Sequence, residues 1–256
     1  DEFGADQIAP VLLGAGDREN GVRRLLKALR HDAPFSAETS GRRMLPINGG
    51  GIAECFKVVH QAHAGKLSLC RVWAGAIAEG QSLGGQRIGS LFRPFGQRLD
   101  KVAQARAGEI VALAKIDALS SGQAISASGI AQIGDFPAAE PPVFALALSA
   151  RNRNDEVKLS GALHRIVEED PSLSFEARAE THELLLKGQG EMHLKVAVDK
   201  LAGRYNVAVE TQQPRVAYRE TIQGGTQQHA RYKRQTGGHG QFADIKVEVK
   251  PLARGA

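Results

Sequence analysis

The sequence is poor in cysteine and has no long apolar run. Its 256 residues include two cysteines, Cys55 and Cys70, which is too few for the disulfide framework of a small secreted domain. No apolar stretch approaches the roughly 20 residues that a membrane-spanning helix needs. The first four residues, Asp-Glu-Phe-Gly, have neither the basic nor the apolar region of a signal peptide. These absences predict a cytoplasmic protein that does not contact membranes.

A phosphate-binding loop is also missing from the sequence. Such a loop needs an early glycine and a Gly-Lys pair followed by serine or threonine, because backbone amides and the lysine cradle the phosphates. The best candidate is Gly65-Lys66, but Leu67 follows it and His60 stands where the early glycine should be. We therefore expect no nucleotide hydrolysis by this chain alone, and we assign no catalytic residues to it.

What the sequence does contain is an ordinary globular composition with a local excess of positive charge. The net charge is +5, and no acidic residue lies between Glu220 and Asp244. Arg231, Lys233 and Arg234 cluster in that interval. A cluster of this kind is typical of a surface that binds nucleic acid, although a solvated basic loop would look the same.

The first 48 residues predict an incomplete domain followed by a linker. Residues 8–13 form a short apolar run that predicts a strand. From Val22 onward, apolar residues recur at helical spacing, with Asn20 as the N-cap. One strand and one helix do not cover their own apolar surfaces, so we interpret residues 1–35 as the remnant of a larger domain. Residues 36–48 are polar and predict an irregular linker.

Residues 49–134 predict a β-barrel. Short apolar stretches alternate there with glycine turns, and helical periodicity is weak. A proline-rich linker follows at residues 135–142. The predicted strands of the barrel are Ile52–His60, Lys66–Ala74, Arg87–Phe92, Leu99–Ala103 and Glu109–Lys115.

Residues 143–215 predict a ferredoxin-like domain. The apolar patterns follow the order β-α-β-β-α-β, which is the split βαβ arrangement. The remaining residues, 216–256, predict the truncated start of a fourth α/β domain, so the fold class is multidomain α+β. The ferredoxin-like elements are Val143–Ser149, Asp155–Val167, Leu173–Arg178, Glu183–Lys187, Met192–Tyr205 and Val207–Glu210.

The segment from Lys187 to Leu194 has two possible chemistries, and we favour neither. Its Gly188 and Gly190 resemble a dinucleotide fingerprint, but His193 occupies the third glycine position. Glu191 and His193 could form an acid–base pair, yet no nucleophile lies near them in sequence, so a structural histidine is the better interpretation. The glycines then serve a tight strand-to-helix turn.

Two possible metal sites are also disfavoured, and we predict no metal. Cys55, His60, His63 and Cys70 do not have the spacing of a closed zinc site. Glu168-Glu-Asp170, before Pro171, is more typical of a solvated helix end.

Several motifs together resemble elongation factor G, a translational GTPase. They are Pro10-Val-Leu-Leu-Gly14, Gly65-Lys-Leu67 with Arg71-Val-Trp-Ala-Gly75, Gly188-Gln-Gly-Glu-Met-His-Leu194, Pro214-Arg-Val-Ala-Tyr-Arg-Glu-Thr221 and Arg234-Gln-Thr-Gly-Gly-His-Gly-Gln-Phe242. They occur in the family's order and imply the end of a GTPase domain, domains II and III, and the start of domain IV.

The resemblance implies a full-length protein that binds GTP and Mg²⁺, whereas this chain alone is expected to hold no cofactor. The expected partners are the ribosome, through ribosomal RNA and small-subunit proteins, and indirectly tRNA and mRNA; the chain itself is expected to be a monomer. The alternatives are a ribosomal protection or ribosome-recycling GTPase, a free-standing RNA-binding protein, and an enzyme that uses Glu191 and His193.

The resemblance also assigns roles to individual residues. The serine that the family uses near guanine is replaced here. The guanine-side remnant is Gly14, Ala15 and Gly16. Interdomain or ribosome coupling is assigned to Arg71, Gly188, Gly190, Glu191 and His193. Nucleic-acid binding is assigned to Arg231, Lys233, Arg234, Gln235, Gly237, Gly238, His239, Gly240 and Gln241.

Overall fold

The computed structural model divides into two compact units. The first contains the chain up to Arg178 together with Glu183–Pro214, and the second contains Ala179–His182 and the chain from Arg215 onward. Within the part of the chain that the structure describes, no helix combines the length and the hydrophobicity needed to span a bilayer. The described residues are 9–43, 45, 50–61, 64–134, 136–218, 220, 222–235, 237–238 and 240–252.

The N-terminal segment is less regular than its apolar pattern predicts. Residues 9–13, the described part of the strand predicted at 8–13, are not a strand, and all but one of them are exposed. The prediction was wrong because an apolar run forms a strand only where another strand can pair with it. A 3₁₀ turn at Gly16–Arg18 precedes helix α1, Val22–His31. The residue that caps α1 is Gly21, with φ of 76°, and not Asn20.

A second helix, α2, spans Ser36–Arg42 where we predicted an irregular linker. The Glu38 carboxylate accepts a hydrogen bond from the Phe35 backbone N–H at 3.2 Å, which satisfies one of the free donors at the helix start. Ser40 is buried in the same turn. The helix has two turns and no apolar periodicity, so the sequence pattern could not indicate it.

The β domain, residues 50–134, has a main apolar core, a smaller apolar cluster formed by Leu67, Ala112 and Ala114, and a main antiparallel sheet of seven strands in the order β11-β10-β1-β2-β9-β6-β7. Two short ribbons, β3 with β8 and β4 with β5, complete it. All five predicted strands correspond to strands here, although the predicted Arg87–Phe92 is split in two. The strands are β1 Ile52–Gln61, β2 Gly65–Ala74, β3 Ala76–Ala78, β4 Ser82–Leu83, β5 Gln86–Arg87, β6 Leu91–Phe95, β7 Arg98–Val102, β8 Gln104–Arg106, β9 Ile110–Ala114, β10 Gln123–Ser126 and β11 Gly129–Gln132.

The ferredoxin-like domain has the predicted element order, and the mixed α+β fold class is confirmed. Its four-stranded antiparallel sheet has the order β13-β14-β12-β15. Leucines of both helices pack against this sheet in a second apolar core. The elements are β12 Phe144–Ala150, α3 Glu156–Glu169, β13 Ser174–Arg178, β14 Glu183–Gly188, α4 Glu191–Tyr205 and β15 Val209–Gln212.

The second unit contains a long β-hairpin. Strand β16, Thr226–Arg234, pairs antiparallel with β17, Gln241–Val249, in continuous register from Thr226 opposite Val249 to Arg234 opposite Gln241. The basic residues Arg231, Lys233 and Arg234, for which a solvated loop was the alternative interpretation, therefore lie on a strand. The domain boundaries that we derived from the sequence stay predictions.

Candidate functional site

The strand-to-helix turn at Gln189 and Gly190 is built on a glycine that no other residue could replace without displacement of its neighbours. A Cβ atom added at Gly188 would lie 2.7 Å from Leu194 Cδ2 and 3.0 Å from both His193 Nδ1 and Leu173 Cδ2. At Gly190, which precedes α4, an added Cβ would meet no atom within 4 Å. The close packing around Gly188 is therefore what holds His193 against the end of β14.

His193 is a structural residue of the ferredoxin-like domain, and its ring makes two hydrogen bonds there. The Gln189 backbone N–H donates to His193 Nδ1 at 3.1 Å, and His193 Nε2 lies 3.0 Å from Asp170 Oδ2. A neutral imidazole that accepts at Nδ1 carries its proton on Nε2 and donates it to the carboxylate. Glu191 is exposed on the first turn of α4, so the carboxylate partner of His193 is Asp170 and not Glu191.

The Asp170 carboxylate accepts hydrogen bonds from His193 and Ser172, and these donors favour its ionised form. Burial alone would raise its pKa, but hydrogen bonds from Ser172 and His193 outweigh burial and lower the pKa below its ordinary value. The Ser172 hydroxyl donates to Asp170 Oδ1 at 2.5 Å. Because Ser172 bonds the carboxylate and not the imidazole, the three side chains do not form a nucleophilic triad.

Arg71 lies in the β domain and does not belong to the strand-to-helix turn at Gln189 and Gly190. Its Nη1 donates to the Gly108 carbonyl at 2.8 Å, and its guanidinium stands 5.9 Å from the centre of the Trp73 ring. These contacts fix the turn before β9. The five residues assigned to coupling are thus divided between two domains, and their assignment stays a prediction.

Two adjacent carboxylates at the end of α3 join the ferredoxin-like domain to the β domain. Glu169 Oε1 accepts the backbone N–H of His60 at 2.6 Å, and its Oε2 accepts Arg204 Nη1 at 2.9 Å. Glu168 Oε2 lies 2.7 Å from His60 Nε2, and its other oxygen accepts Lys66 Nζ. We predicted a solvated helix end here, and for Glu169 that was wrong because its side chain is only 7 % exposed.

The cations beside this junction are already occupied by acceptors of the chain. Lys66 Nζ also donates to the Asp117 carbonyl at 2.6 Å. Burial would raise the pKa of Glu168, but hydrogen bonds from Lys66 and His60 lower it below its ordinary value. A neighbouring cavity of about 550 Å³ is lined by Lys66 and Arg204, which pair with Glu168 and Glu169, and by Arg165, whose guanidinium lies 6.0 Å from the centre of the Tyr205 ring.

The basic cluster of the second unit is partly neutralised across the hairpin. Arg231 stands directly opposite Asp244, and its Nη2 lies 2.8 Å from Asp244 Oδ2; His229 pairs with the other carboxylate oxygen. Within the described residues, the structure records no ion pair for Lys233 or Arg234. These two side chains project from opposite faces of β16, because side chains alternate along a strand.

The glycine-rich segment after β16 is an open turn. Gly237 and Gly238 have φ of 57° and 93°, which non-glycine residues rarely adopt, and an added Cβ at either would meet no atom within 4 Å. Gln235, Gly240 and Gln241 flank this turn and are exposed; His239 lies outside the described residues. The backbone is thus open to a ligand, and nucleic-acid binding there stays a prediction.

The predicted guanine-side remnant lies in a small loop that is closed by two backbone hydrogen bonds. Ala15 N–H donates to the Asn20 carbonyl at 3.0 Å, and Asn20 N–H donates back to the Ala15 carbonyl at 3.1 Å. Gly14 packs against this loop, where an added Cβ would lie 2.9 Å from the Asn20 oxygen, and Gly16 begins the 3₁₀ turn. A guanine contact at these residues stays a prediction.

The described residues of the disfavoured zinc set do not form one cluster. Cys55 and Cys70 are buried in the core of the β domain, and His60 faces Glu168. His63 lies outside the described residues. Among the residues that the structure describes, no three side chains of metal-binding type lie together.

Comparisons with known proteins find similarity to elongation factor G over nearly the whole chain. Residues 139–213 match the family Elongation Factor G, domain III, and residues 214–256 match Elongation factor G, domain IV. The chain is 46 % identical over 256 residues to an "Elongation factor G-like protein" of Synechocystis sp., in a match that covers 99 % of this chain and 38 % of that protein. It is 32 % identical over 268 residues to "Elongation factor G" of Petrotoga mobilis, with 96 % and 38 % covered.

A solved structure agrees with these matches. A crystal structure of a protein from Thermus thermophilus superposes with a TM-score of 0.77 at 35 % identity, over 96 % of this chain and 37 % of that one. The chain thus spans a little more than a third of the length of the proteins that it matches. The chain is therefore elongation factor G-like, and its residues 139–256 match the third and fourth domains of that family.

Proposed function

We propose that this chain is part of a GTP-dependent ribosomal translocation factor, which binds the ribosome in the cytoplasm and couples its GTPase state to movement of tRNA and mRNA. The observation that carries the proposal is the match of residues 139–213 to domain III of elongation factor G. The relatives are named as elongation factors, which supports a role in translation.

The junction at Glu168 and Glu169 supports a coupling role for the first unit. Four hydrogen bonds converge there from both domains, so a force on the β domain would be passed to α3. Both domains keep complete apolar cores of their own. In this proposal the junction passes a movement of one domain on to the other, and that role needs no catalytic group within this chain.

The hairpin of the second unit supports contact with ribosomal RNA. Lys233 and Arg234 supply charge, and the open turn after them lets the backbone approach phosphates. Backbone contacts of this kind would give affinity without base specificity.

Co-sedimentation with purified ribosomes at graded salt tests this proposal. We expect salt-sensitive binding that weakens when Lys233→Gln and Arg234→Gln are combined, since each lost phosphate contact lowers the salt dependence by about one unit of slope. The charge-matched control combines Lys158→Gln and Arg98→Gln, two exposed cations elsewhere. Equal binding by both double variants would refute the RNA role of the hairpin, and absence of binding by the wild type would refute the function.

Nucleotide binding provides a second test. GTP and Mg²⁺ belong, in our proposal, to the full-length protein, and a titration of this chain with labelled GTP should show no saturable binding. A micromolar affinity would contradict the proposed division of labour.

A further inference from the structure

The two cysteines face each other across adjacent strands of the β domain. Cys55 on β1 and Cys70 on β2 are direct partners in the antiparallel register, and both are fully buried. Directly opposed residues have Cα atoms about 4.5–5.5 Å apart, which lies within the range of about 4.4–6.8 Å that a disulfide spans. The backbone therefore places both thiols where a covalent bond needs little movement.

A β-bulge lies immediately beside this pair. The register shifts between Cys55 and Lys57, so that Phe56 is extra on its strand and turns outward. The Cys55 thiol donates to the Lys57 carbonyl at 3.5 Å, and the Cys70 thiol donates to the Ser68 carbonyl at 3.4 Å. A bulge locally disrupts the ladder, so we expect local opening to be easier here than in a continuous part of the sheet.

The surroundings make the two thiols unequal. Contact with Cys70 lowers the pKa of the Cys55 thiol despite burial, and Lys57, Ser68 and Lys66 contribute in the same direction. Burial, by contrast, raises the pKa of the Cys70 thiol. Cys55 also borders the β-bulge on its own strand, where the ladder is interrupted, and we therefore take it as the attacking thiol of the pair.

We propose that Cys55 and Cys70 are a redox modification site, at which a small hydroperoxide closes an intramolecular disulfide. The Cys55 thiolate attacks the peroxide oxygen, the O–O bond breaks, and water or an alcohol leaves, so that Cys55 becomes a sulfenic acid. The Cys70 sulfur then attacks the Cys55 sulfur, the S–O bond breaks, and water leaves with the remaining proton. One dithiol and one hydroperoxide give one disulfide, one alcohol or water, and one water.

Burial makes the site selective for the size of the oxidant. Hydrogen peroxide is close to water in size and passes through a locally opened bulge, whereas glutathione disulfide must bring a whole peptide to the sulfur. The folded chain should therefore be oxidised by hydrogen peroxide and resist glutathione disulfide. The proposal is independent of ribosome binding.

The test treats the reduced wild-type chain with either oxidant and then quenches the reaction. The chain is unfolded, its free thiols are alkylated with N-ethylmaleimide, and the intact mass is measured by mass spectrometry. After hydrogen peroxide, we expect neither cysteine to be alkylated and the mass of the chain to be lower by two hydrogens. The chain should stay monomeric on a non-reducing gel, and dithiothreitol should restore both thiols. Retention of both thiols in the folded chain under hydrogen peroxide, when the urea-unfolded chain loses them, would overturn the proposal. Covalent dimers or oxidation by glutathione disulfide would overturn it too.

Two serine variants separate the roles of the thiols. Cys70→Ser should stop at a sulfenic acid on Cys55 that dimedone captures, and Cys55→Ser should oxidise at Cys70 about tenfold more slowly. Equal reactivity of the two remaining thiols would contradict the assigned order of attack. The wild-type measurement decides the proposal by itself if a serine variant does not fold.

Discussion

Replacement of Gly188 by alanine should loosen the start of helix α4. The new methyl group would lie 2.7 Å from Leu194 Cδ2 and 3.0 Å from Leu173 Cδ2, and both leucines are buried. These distances are shorter than carbon contacts tolerate, so the leucines have to move within a packed core. The third close atom is His193 Nδ1 at 3.0 Å, which accepts the Gln189 N–H.

The size of the effect follows from two contributions. Overpacking of a filled core costs about 1–3 kcal/mol. Displacement of His193 would also weaken its hydrogen bonds to Gln189 and Asp170, at about 1 kcal/mol. We therefore expect Gly188→Ala to destabilise α4 by about 2–4 kcal/mol relative to its unfolded state.

Native-state hydrogen exchange is the suitable assay, because a chain with two compact units does not have to unfold in one step. Amides of α4 should exchange about 30-fold faster or more in Gly188→Ala, since about 1.4 kcal/mol corresponds to a factor of ten. The matched control is Gly190→Ala, which meets no atom within 4 Å and has an extended backbone with φ of 172°. Equal exchange in the two variants would refute the packing argument.

Three further predictions concern other contacts of the first unit. Glu54→Ala should destabilise the β domain by about 3 kcal/mol, measured by urea unfolding with Trp73 fluorescence, because the buried carboxylate accepts both Arg43 and the indole N–H. The pKa of Asp170 is lowered in the folded state. Its contribution to folding stability is therefore present above the ordinary aspartate pKa of about 4 and is lost as the pH falls through the lowered value. Asp170→Asn should remove this acid sensitivity in unfolding curves measured at different pH. Glu169→Gln should accelerate exchange of the His60 amide, which otherwise donates to a carboxylate.

The ferredoxin-like domain was predictable because each element carries its own periodicity. Apolar residues such as Leu159, Leu163 and Ile166 repeat at helical spacing on α3, and all three are buried. The strands alternate or are short apolar runs between turns. Element order then leaves few topologies open. The same logic found the five main stretches of the β domain, whose strands β1 and β2 are long and apolar.

The missed features are those that depend on pairing across space. Asp244 neutralises Arg231 because a hairpin brings them together, and a charge count along the chain assigned that aspartate to the end of the basic interval. Strand β16 was missed because its basic residues resemble a loop. Helix α2 is too short for periodicity to show. Residues 8–13 were predicted as a strand because the pattern does not tell whether a neighbouring strand is present.

Glu168 and Glu169 show most clearly why a junction between domains escapes sequence reasoning. Both lie in the last turn of α3, where carboxylates are unfavourable for the helix dipole, and an acidic pair before a proline suggests exposure. The structure instead gives each a donor on the β domain, with the His60 side chain on one and the His60 backbone on the other. Carboxylates placed against the dipole persist where external donors compensate them, so an unfavourable charge at a helix end is a reason to search for a neighbouring domain.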